Sequence, residues 1–207
     1  HAIQLLADYQ HHPLFEHTVG NMDVTWPQLL QTADGVINRQ VAMRHRHYGR
    51  NRVALLHGAA RFIDPHTLAV DGPAGAVETL RAGHVIIATG SRPYRPADVD
   101  FSHPRILDSD SVLKTDLTPW RVTIYGAGVI GSEYASIFAN LDVKVNLIDT
   151  RDRLLSFLDD EITDALSYHL RDQGVVIMHN ESYDRVAADD SGVTLHCVSG
   201  RKVRSDV

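Results

Sequence analysis

Cysteine is almost absent from this chain, and other absences narrow its class further. The single cysteine, Cys197, excludes an internal disulfide, so a reducing compartment such as the cytoplasm is the expected location. No apolar run reaches the length needed to cross a membrane. Basic residues are in deficit, with 20 Lys and Arg against 26 Asp and Glu. Neither a membrane nor a nucleic acid is therefore an expected partner.

What the chain does contain is the composition of an ordinary globular protein. Its 207 residues are 43% hydrophobic and 22% charged, enough for one or two domains with real cores. The sequence starts at His1, inside a helical pattern over residues 1–9, and stops at Val207, where a strand pattern begins. We therefore expect an internal fragment of a longer protein.

The most informative stretch is residues 121–149. A β-rich run over 121–125 leads into G-A-G-V-I-G at 126–131, then into a helical pattern, and a second strand over 144–148 ends at Asp149. One face of the predicted helix carries Ile130, Tyr134, Ile137, Phe138 and Leu141. Strand, G-x-G-x-x-G, helix, strand and acid in this order are the fingerprint of dinucleotide binding. An ordinary glycine turn would not bring this whole context with it.

Each glycine of the fingerprint has a predicted task. Gly126 permits the tight turn, Gly128 lets the backbone approach a pyrophosphate, and Gly131 lets the helix pack closely on the strand. The helix start at Val129 and Ile130 then offers unpaired N–H groups and the positive end of the helix dipole. These five residues are the predicted phosphate-binding part of the site.

The residues after the second strand are predicted to contact the adenosine half. An acid such as Asp149 accepts hydrogen bonds from the ribose diol, which favours NAD, whereas a following base pairs with the 2′-phosphate of NADP. This chain has both, because Thr150 and Arg151 follow Asp149 and Arg153 is close behind. We expect Asp149 to face the ribose and Arg151 to swing in when a phosphate is present. The alternative is that these arginines are solvated loop residues.

Residues 25–90 carry a different pattern. A helix is predicted from about Thr25 to Tyr48, with Leu30, Ala33, Ile37, Val41 and Tyr48 inward. Four short β-type runs follow at 53–56, 61–63, 67–70 and 77–80, which predicts an antiparallel meander. A buried strand is then expected over residues 84–88, ending in the turn Ala88, Thr89 and Gly90.

The remaining chain completes an α/β fold. Residues 92–119 read as a crossover with a short helix near 108–114. A helix from about Asp159, with Ile162, Ala165, Leu166 and Leu170 inward, precedes a third strand over 175–178, which gives a Rossmann-like βαβαβ unit. A second β-meander is predicted at 183–187, 193–197 and from 202 onward.

Histidine pairs raise the question of a metal site. His45 and His47 are two residues apart, and His11 adjoins His12. Zinc ligands on a helix are usually four residues apart and have cysteine or carboxylate neighbours. No metal site is predicted.

Two motifs together resemble those of the two-dinucleotide-binding flavoproteins, the family that includes dihydrolipoamide dehydrogenase and glutathione reductase. They are A-T-G-S-x-P at 88–93 and G-x-G-x-x-G-x-E at 126–133. Residues 91–101 and 150–159, with the shorter stretches 38–40 and 60–64, are similar to the soluble pyridine nucleotide transhydrogenases of bacteria within that family. The resemblance covers essentially the whole chain.

This resemblance implies a partial FAD-binding domain with crossover over residues 1–118 and a C-terminally incomplete NAD(P)-binding domain over 119–207. It implies hydride transfer between NADPH and NAD⁺ through FAD, with activity lost or impaired in a fragment. Ala88, Thr89 and Gly90 would give FAD a few backbone contacts. Glu133 would pair with a lysine beside the flavin, or it is simply a solvated glutamate in the first turn of its helix.

Two other functions stay open on this evidence. One is a disulfide reductase of the dihydrolipoamide dehydrogenase type, whose redox cysteine pair would lie outside this stretch. The other is a non-catalytic dinucleotide-binding fragment. We expect nicotinamide dinucleotides as partners. We also expect a homo-oligomer, because the strand at 85–88 lacks its neighbours and leaves exposed edges.

Overall fold

The computed structural model describes residues 25–207, which divide into two compact units. One unit contains residues 31–92, and the other contains residues 93–207 together with the chain up to residue 30. The helix predicted for residues 1–9 lies outside the described residues. Within residues 25–207, no helix is both long enough and apolar enough to span a membrane.

Helix α1 (Trp26–Arg50) confirms the predicted long helix, with Pro27 in its first turn. The predicted inward stripe is wrong, because Ile37 is 54% exposed and Val41 48% exposed, and Ala33 and Tyr48 are exposed as well. A helical stripe is buried only where another element packs on it. No described helix or strand makes an extensive contact with α1.

A three-stranded antiparallel sheet follows in the unit of residues 31–92. It consists of β1 (Ala59–Asp64), β2 (Thr67–Asp71) and β3 (Val77–Arg81), with β2 in the centre. This confirms the predicted meander for three of its four runs. The run at 53–56 is not a strand. Only the central strand is buried, through Ala69 and Val70.

The strand predicted at 84–88 is also wrong. Residues 84–90 have no regular secondary structure, and Ile86 and Ile87 are 91% and 71% exposed. A strand is stabilised by hydrogen bonds to a neighbour, and no described strand pairs with this segment. The apolar run is therefore extended but unpaired.

The second unit contains the predicted βαβαβ core. Strands β4 (Arg121–Tyr125), β5 (Lys144–Ile148) and β6 (Val176–Met178) form a parallel sheet in the order β4-β5-β6. Helices α2 (Val129–Ala139) and α3 (Asp160–Asp172) make the two crossovers. The alternating strand and helix patterns in the sequence are thus confirmed.

The buried faces of both helices differ from the predicted ones. Helix α2 buries Ser132, Ala135 and Phe138, whereas Ile130 is 55% exposed. Helix α3 buries Thr163, Ser167 and Leu170, whereas Ile162 and Ala165 are exposed. Small residues on the inner face let each helix approach the sheet closely. That close approach fixes the rotation of the helix and overrides the apolar count.

The chain then forms a second antiparallel meander, as predicted. Its strands are β7 (Tyr183–Asp189), β8 (Gly192–Cys197) and β9 (Lys202–Ser205), with β8 in the centre. Leu195, Cys197 and Val203 form a small core with Ile148 of the parallel sheet. The meander is thereby attached to the βαβαβ unit.

The crossover before β4 is held by one carboxylate. Asp108 accepts hydrogen bonds from the Ser111 N–H (2.7 Å) and the Asp110 N–H (3.0 Å) and pairs with the Arg95 guanidinium (2.6 Å). Burial alone would raise the pKa of the Asp108 carboxyl. The Ser111 N–H, the Arg95 guanidinium and the other donors outweigh it and lower that pKa to about 2. The short 3-10 helix Ser111–Lys114 follows, where a short helix was predicted.

We predict that Asp108→Asn lowers the free energy of unfolding by about 2 kcal/mol at pH 7. The ordinary pKa of 3.8 lies above the folded value of about 2. The ionised carboxylate therefore stabilises the fold fully above pH 3.8 and loses this effect as the pH falls through about 2. Urea unfolding from pH 5 to pH 2 should show a shallower pH dependence for the variant. Equal slopes for the two proteins would contradict the prediction, and Asp110→Asn at the exposed neighbouring position is the matched control.

Candidate functional site

The glycine loop lies between the carboxyl end of β4 and the start of α2, as predicted. Gly126 has a φ of +110°, a conformation that favours glycine, and its N–H donates to the Ile148 carbonyl at 2.7 Å. A Cβ at Gly131 would overlap the Gly126 carbonyl oxygen and lie 3.4 Å from Ile124 Cγ2. A Cβ at Gly128 would meet nothing within 4 Å. The first and third glycines are thus required by the fold, whereas the second leaves space open.

The start of α2 faces this open space without a capping side chain. Gly128 is the N-cap residue and makes no side-chain hydrogen bond. The first helical N–H bonded back along the helix is that of Ser132, which donates to the Gly128 carbonyl at 2.9 Å. The N–H groups of Val129, Ile130 and Gly131 precede it and have no intrahelical acceptor. Such a helix start attracts a phosphate through these donors and the helix dipole.

Asp149 follows β5 and is almost completely buried, with 6% of its surface exposed. Its Oδ2 accepts the Ala127 N–H at 2.6 Å, and its Oδ1 accepts the Arg151 N–H at 2.8 Å. Both carboxylate oxygens therefore bind backbone donors, one from the glycine loop and one from its own loop. The sequence predicted that Asp149 faces the ribose, and its position at the end of β5 agrees with the fingerprint.

The side chains that follow Asp149 are exposed. Thr150 and Arg151 face solvent, and among residues 25–207 no carboxylate forms an ion pair with Arg151. Arg153 differs, because it pairs with Asp160 and lies 3.7 Å from Asp152. Of these two arginines, Arg151 has the guanidinium that is available to a ligand.

A cleft of about 970 Å³ opens beside the glycine loop, between β4 and residues 93–112. In its wall, the Tyr183 hydroxyl hydrogen-bonds both Asp98 carboxylate oxygens at 3.2 Å, and the Tyr183 ring packs edge-on against Tyr125. Burial, followed by the hydrogen bond to Asp98, raises the pKa of Tyr183. The cleft is lined by Gly126, Gly128 and Val129 but not by residues 149–151. The glycine loop is therefore reached from the cleft as well as from the end of β5.

The other predicted site residues lie apart from this loop in their contacts. Glu133 is exposed in the second turn of α2, not the first, and has no ion-pair partner among the residues that the structure describes. Ala88, Thr89 and Gly90 are exposed in the unit of residues 31–92, and Gly90 has a φ of +71°. Nothing in the structure tests their predicted roles at a flavin.

Other reactive groups in the described chain have no catalytic partner. Ser132 Oγ is buried without a hydrogen bond, and Ser91 is exposed. Burial, with the neighbouring Glu181 carboxylate, raises the pKa of the Cys197 thiol, the opposite of what a reactive thiol needs. Within residues 25–207, no three His, Cys, Asp or Glu side chains are grouped so that they could hold a metal ion.

Comparison with known proteins supports what the glycine loop indicates. A family model described as pyridine nucleotide-disulphide oxidoreductase matches residues 7–207. The chain belongs to this family. Its similarity to individual members extends over all or nearly all of its length.

A curated relative from Pseudomonas paraeruginosa is named soluble pyridine nucleotide transhydrogenase. It is 53% identical over 206 residues, which cover 100% of this chain and 44% of the relative. The Cu(II) complex of the flavoprotein disulfide reductase RclA from Escherichia coli is 25% identical, with a TM-score of 0.75 over 99% of this chain and 44% of that chain. LpdA from Mycobacterium tuberculosis shares the fold, with a TM-score of 0.82 at 19% identity over 99% of this chain and 45% of that chain. The chain spans less than half the length of these proteins.

Two features of the site were missed by the sequence analysis. The contact of Asp149 with Ala127 was not predicted, and neither was the burial of Leu154 and Leu155, which packs the loop after β5 into the main core. The apolar pair in an otherwise charged stretch was the available signal for the second feature. No sequence signal indicates the first, because it joins residues 22 positions apart through a backbone donor.

We predict that Gly131→Ala lowers the free energy of unfolding by about 1–3 kcal/mol, because its Cβ would overlap the Gly126 carbonyl. Gly128→Ala is the matched control. Its backbone is extended and its Cβ would be unobstructed, so it should change stability by less than about 0.5 kcal/mol. Urea unfolding followed by circular dichroism measures both, and equal losses would show that the close helix approach is not needed.

Proposed function

We propose that this chain carries the nicotinamide dinucleotide site of an FAD-dependent oxidoreductase that transfers hydride between NADPH and NAD⁺. The observation that carries the proposal is the open glycine loop at the start of α2. Support comes from the 53% identity to relatives named soluble pyridine nucleotide transhydrogenase. Activity requires the rest of the longer protein, so the chain alone is expected to bind nucleotide rather than turn it over.

The pyrophosphate would lie at the start of α2. Gly128 leaves room for the backbone to approach it, and the N–H groups of Val129 and Ile130 have no intrahelical acceptor. The adenosine half would extend towards Asp149, Thr150 and Arg151 at the end of β5. In this arrangement the protein orients the nucleotide, which is its main contribution in a cofactor enzyme.

FAD is proposed as the resident cofactor of the longer protein. It would accept hydride from one nicotinamide and return it to another. Ala88, Thr89 and Gly90 fit the part of backbone contacts, because they are exposed and a Cβ at Gly90 would meet nothing within 4 Å. Residues 1–118 would then belong to the FAD domain with its crossover and 119–207 to the nucleotide domain. Glu133 would pair with a lysine beside the flavin.

We also infer a homo-oligomer in the cytoplasm. The exposed Ile86 and Ile87, together with the uncovered stripe of α1, are apolar surfaces of the kind that associate. A single buried cysteine suits a reducing compartment. Both inferences are supported only indirectly, and sedimentation of the longer protein tests the first of them.

A disulfide reductase is the second candidate, since RclA is titled as one and is 25% identical. Cys197 is buried and has no second cysteine in this sequence, so any redox pair must lie in another part of the protein. The protein that contains this chain should transfer hydride from NADPH to thio-NAD⁺ without added disulfide. Turnover that appears only with a disulfide substrate would favour the reductase.

We predict that the 207-residue chain binds NADH and NADPH, and that Gly128→Val weakens both at least about tenfold, because its side chain occupies the pyrophosphate space. Fluorescence of the reduced nicotinamide measures the dissociation constants. Circular dichroism should show that the variant keeps its fold, because the position is open. Failure of the wild-type chain to bind either nucleotide at millimolar concentration would contradict the proposed site.

We predict further that Arg151→Gln weakens NADPH binding by about 1.5–3 kcal/mol, the scale of a hydrogen bond to a charged group, and spares NADH. Arg153→Gln is the matched control, because Arg153 is already paired with Asp160. The ratio of the two dissociation constants is the measurement. Equal losses for both nucleotides on removal of Arg151 would show that it plays no part in discrimination.

A further inference from the structure

Asp149 is bound on every side by backbone groups. Its carboxylate accepts the N–H groups of Ala127 and Arg151. Its own N–H donates to the Met178 carbonyl at 3.0 Å, and its carbonyl accepts the Glu181 N–H at 3.1 Å. With 6% of its surface exposed, this residue has little area left to offer to a ligand.

Ala127 is the partner that makes these contacts important. Its N–H reaches Asp149, and its carbonyl accepts the Leu155 N–H at 3.4 Å. Ala127 is fully buried, and Leu154 and Leu155 are buried beside it in the main core. The glycine loop and the loop of residues 149–155 are therefore joined at both ends of the second loop and form one rigid element.

A carboxylate held in this way is poorly suited to select between nucleotides. In the usual arrangement an exposed acid accepts the ribose diol and repels a 2′-phosphate. Here two short N–H donors lie against its oxygens, and charge-assisted hydrogen bonds of this kind compensate much of the charge. The side chains that face solvent next to it are those of Thr150 and Arg151.

We propose that Asp149 is a positioning residue that ties the glycine loop to the adenosine loop, and that Thr150 and Arg151 determine the choice between NAD and NADP. The proposal rests on the proposed function for its nucleotide part. The backbone of Arg151 is fixed by Asp149 and by the Asn180 N–H, which donates to its carbonyl at 3.0 Å. A free guanidinium on a fixed backbone can meet a 2′-phosphate, while an acid that is already bound to N–H groups excludes neither nucleotide.

The first test needs no nucleotide. In Asp149→Asn the amide nitrogen or oxygen can replace only one of the two acceptors. Hydrogen exchange of the Ala127 and Arg151 amides in the 207-residue chain should therefore accelerate at least about tenfold at one or both sites. Exchange at the Gly126 amide, which is bonded to Ile148, is the internal reference. Unchanged exchange at Ala127 and Arg151 would overturn the proposed tie.

The second test measures selectivity. Asp149→Asn should weaken NADH and NADPH by similar factors, so that the ratio of their dissociation constants stays within about threefold of wild type. Weaker NADH with tighter NADPH binding would instead make Asp149 a direct reader of the ribose and would overturn the proposal. Because this buried variant can unfold, Thr150→Asp provides an independent variant at an exposed position.

Thr150→Asp places a solvent-facing carboxylate on the same fixed loop. It should weaken NADPH at least about tenfold through repulsion of the 2′-phosphate and leave NADH within about threefold. Thr150→Asn, of similar shape without the charge, is its control. An unchanged ratio in Thr150→Asp would contradict selection by the exposed side chains. Failure of wild type to bind either nucleotide would contradict the proposed function, while the amide exchange would still decide whether Asp149 is the tie.

Discussion

The close approach of α2 to β4 sets the geometry of the whole nucleotide-binding half. Gly131 lies against the Gly126 carbonyl where any side chain would overlap it. This contact fixes the rotation of α2, so that Ala135 and Phe138 face the core while Val129 and Ile130 face outward. The same rotation directs the free N–H groups of the first turn into open space. A phosphate site is thus a consequence of how tightly one helix packs on one strand.

Local patterns in the sequence predicted the elements well where the residues themselves determine the structure. The βαβαβ core and both meanders follow from short apolar runs separated by glycine and aspartate turns. The failures occur where a neighbour decides. The strand expected at 84–88 has no described partner, and the stripe of α1 has no described element packed on it. Ile162 was expected inward, but small Thr163 and Ser167 allow the closer contact.

The site divides in the same way between what spacing reveals and what only packing reveals. Glycine spacing located the loop and its three tasks, because each task follows from the absence of a Cβ. The partners of Asp149 were not accessible to the same reasoning. A carboxylate at a strand end looks identical in sequence whether it faces a ribose or a backbone N–H, and only the burial of Leu154 and Leu155 brings the second loop against Ala127.

A site that must accept two nucleotides differing by one phosphate needs a rigid part and an adaptable part. The rigid part has to hold the pyrophosphate, which NAD and NADP share, so its contacts belong to the backbone and to buried groups. The adaptable part has to meet a dianion or leave its place empty at little cost. A buried charge cannot do this, because desolvation penalises every change around it. A long, solvated arginine on a fixed backbone can, and Arg151 is placed in that way beside the buried Asp149.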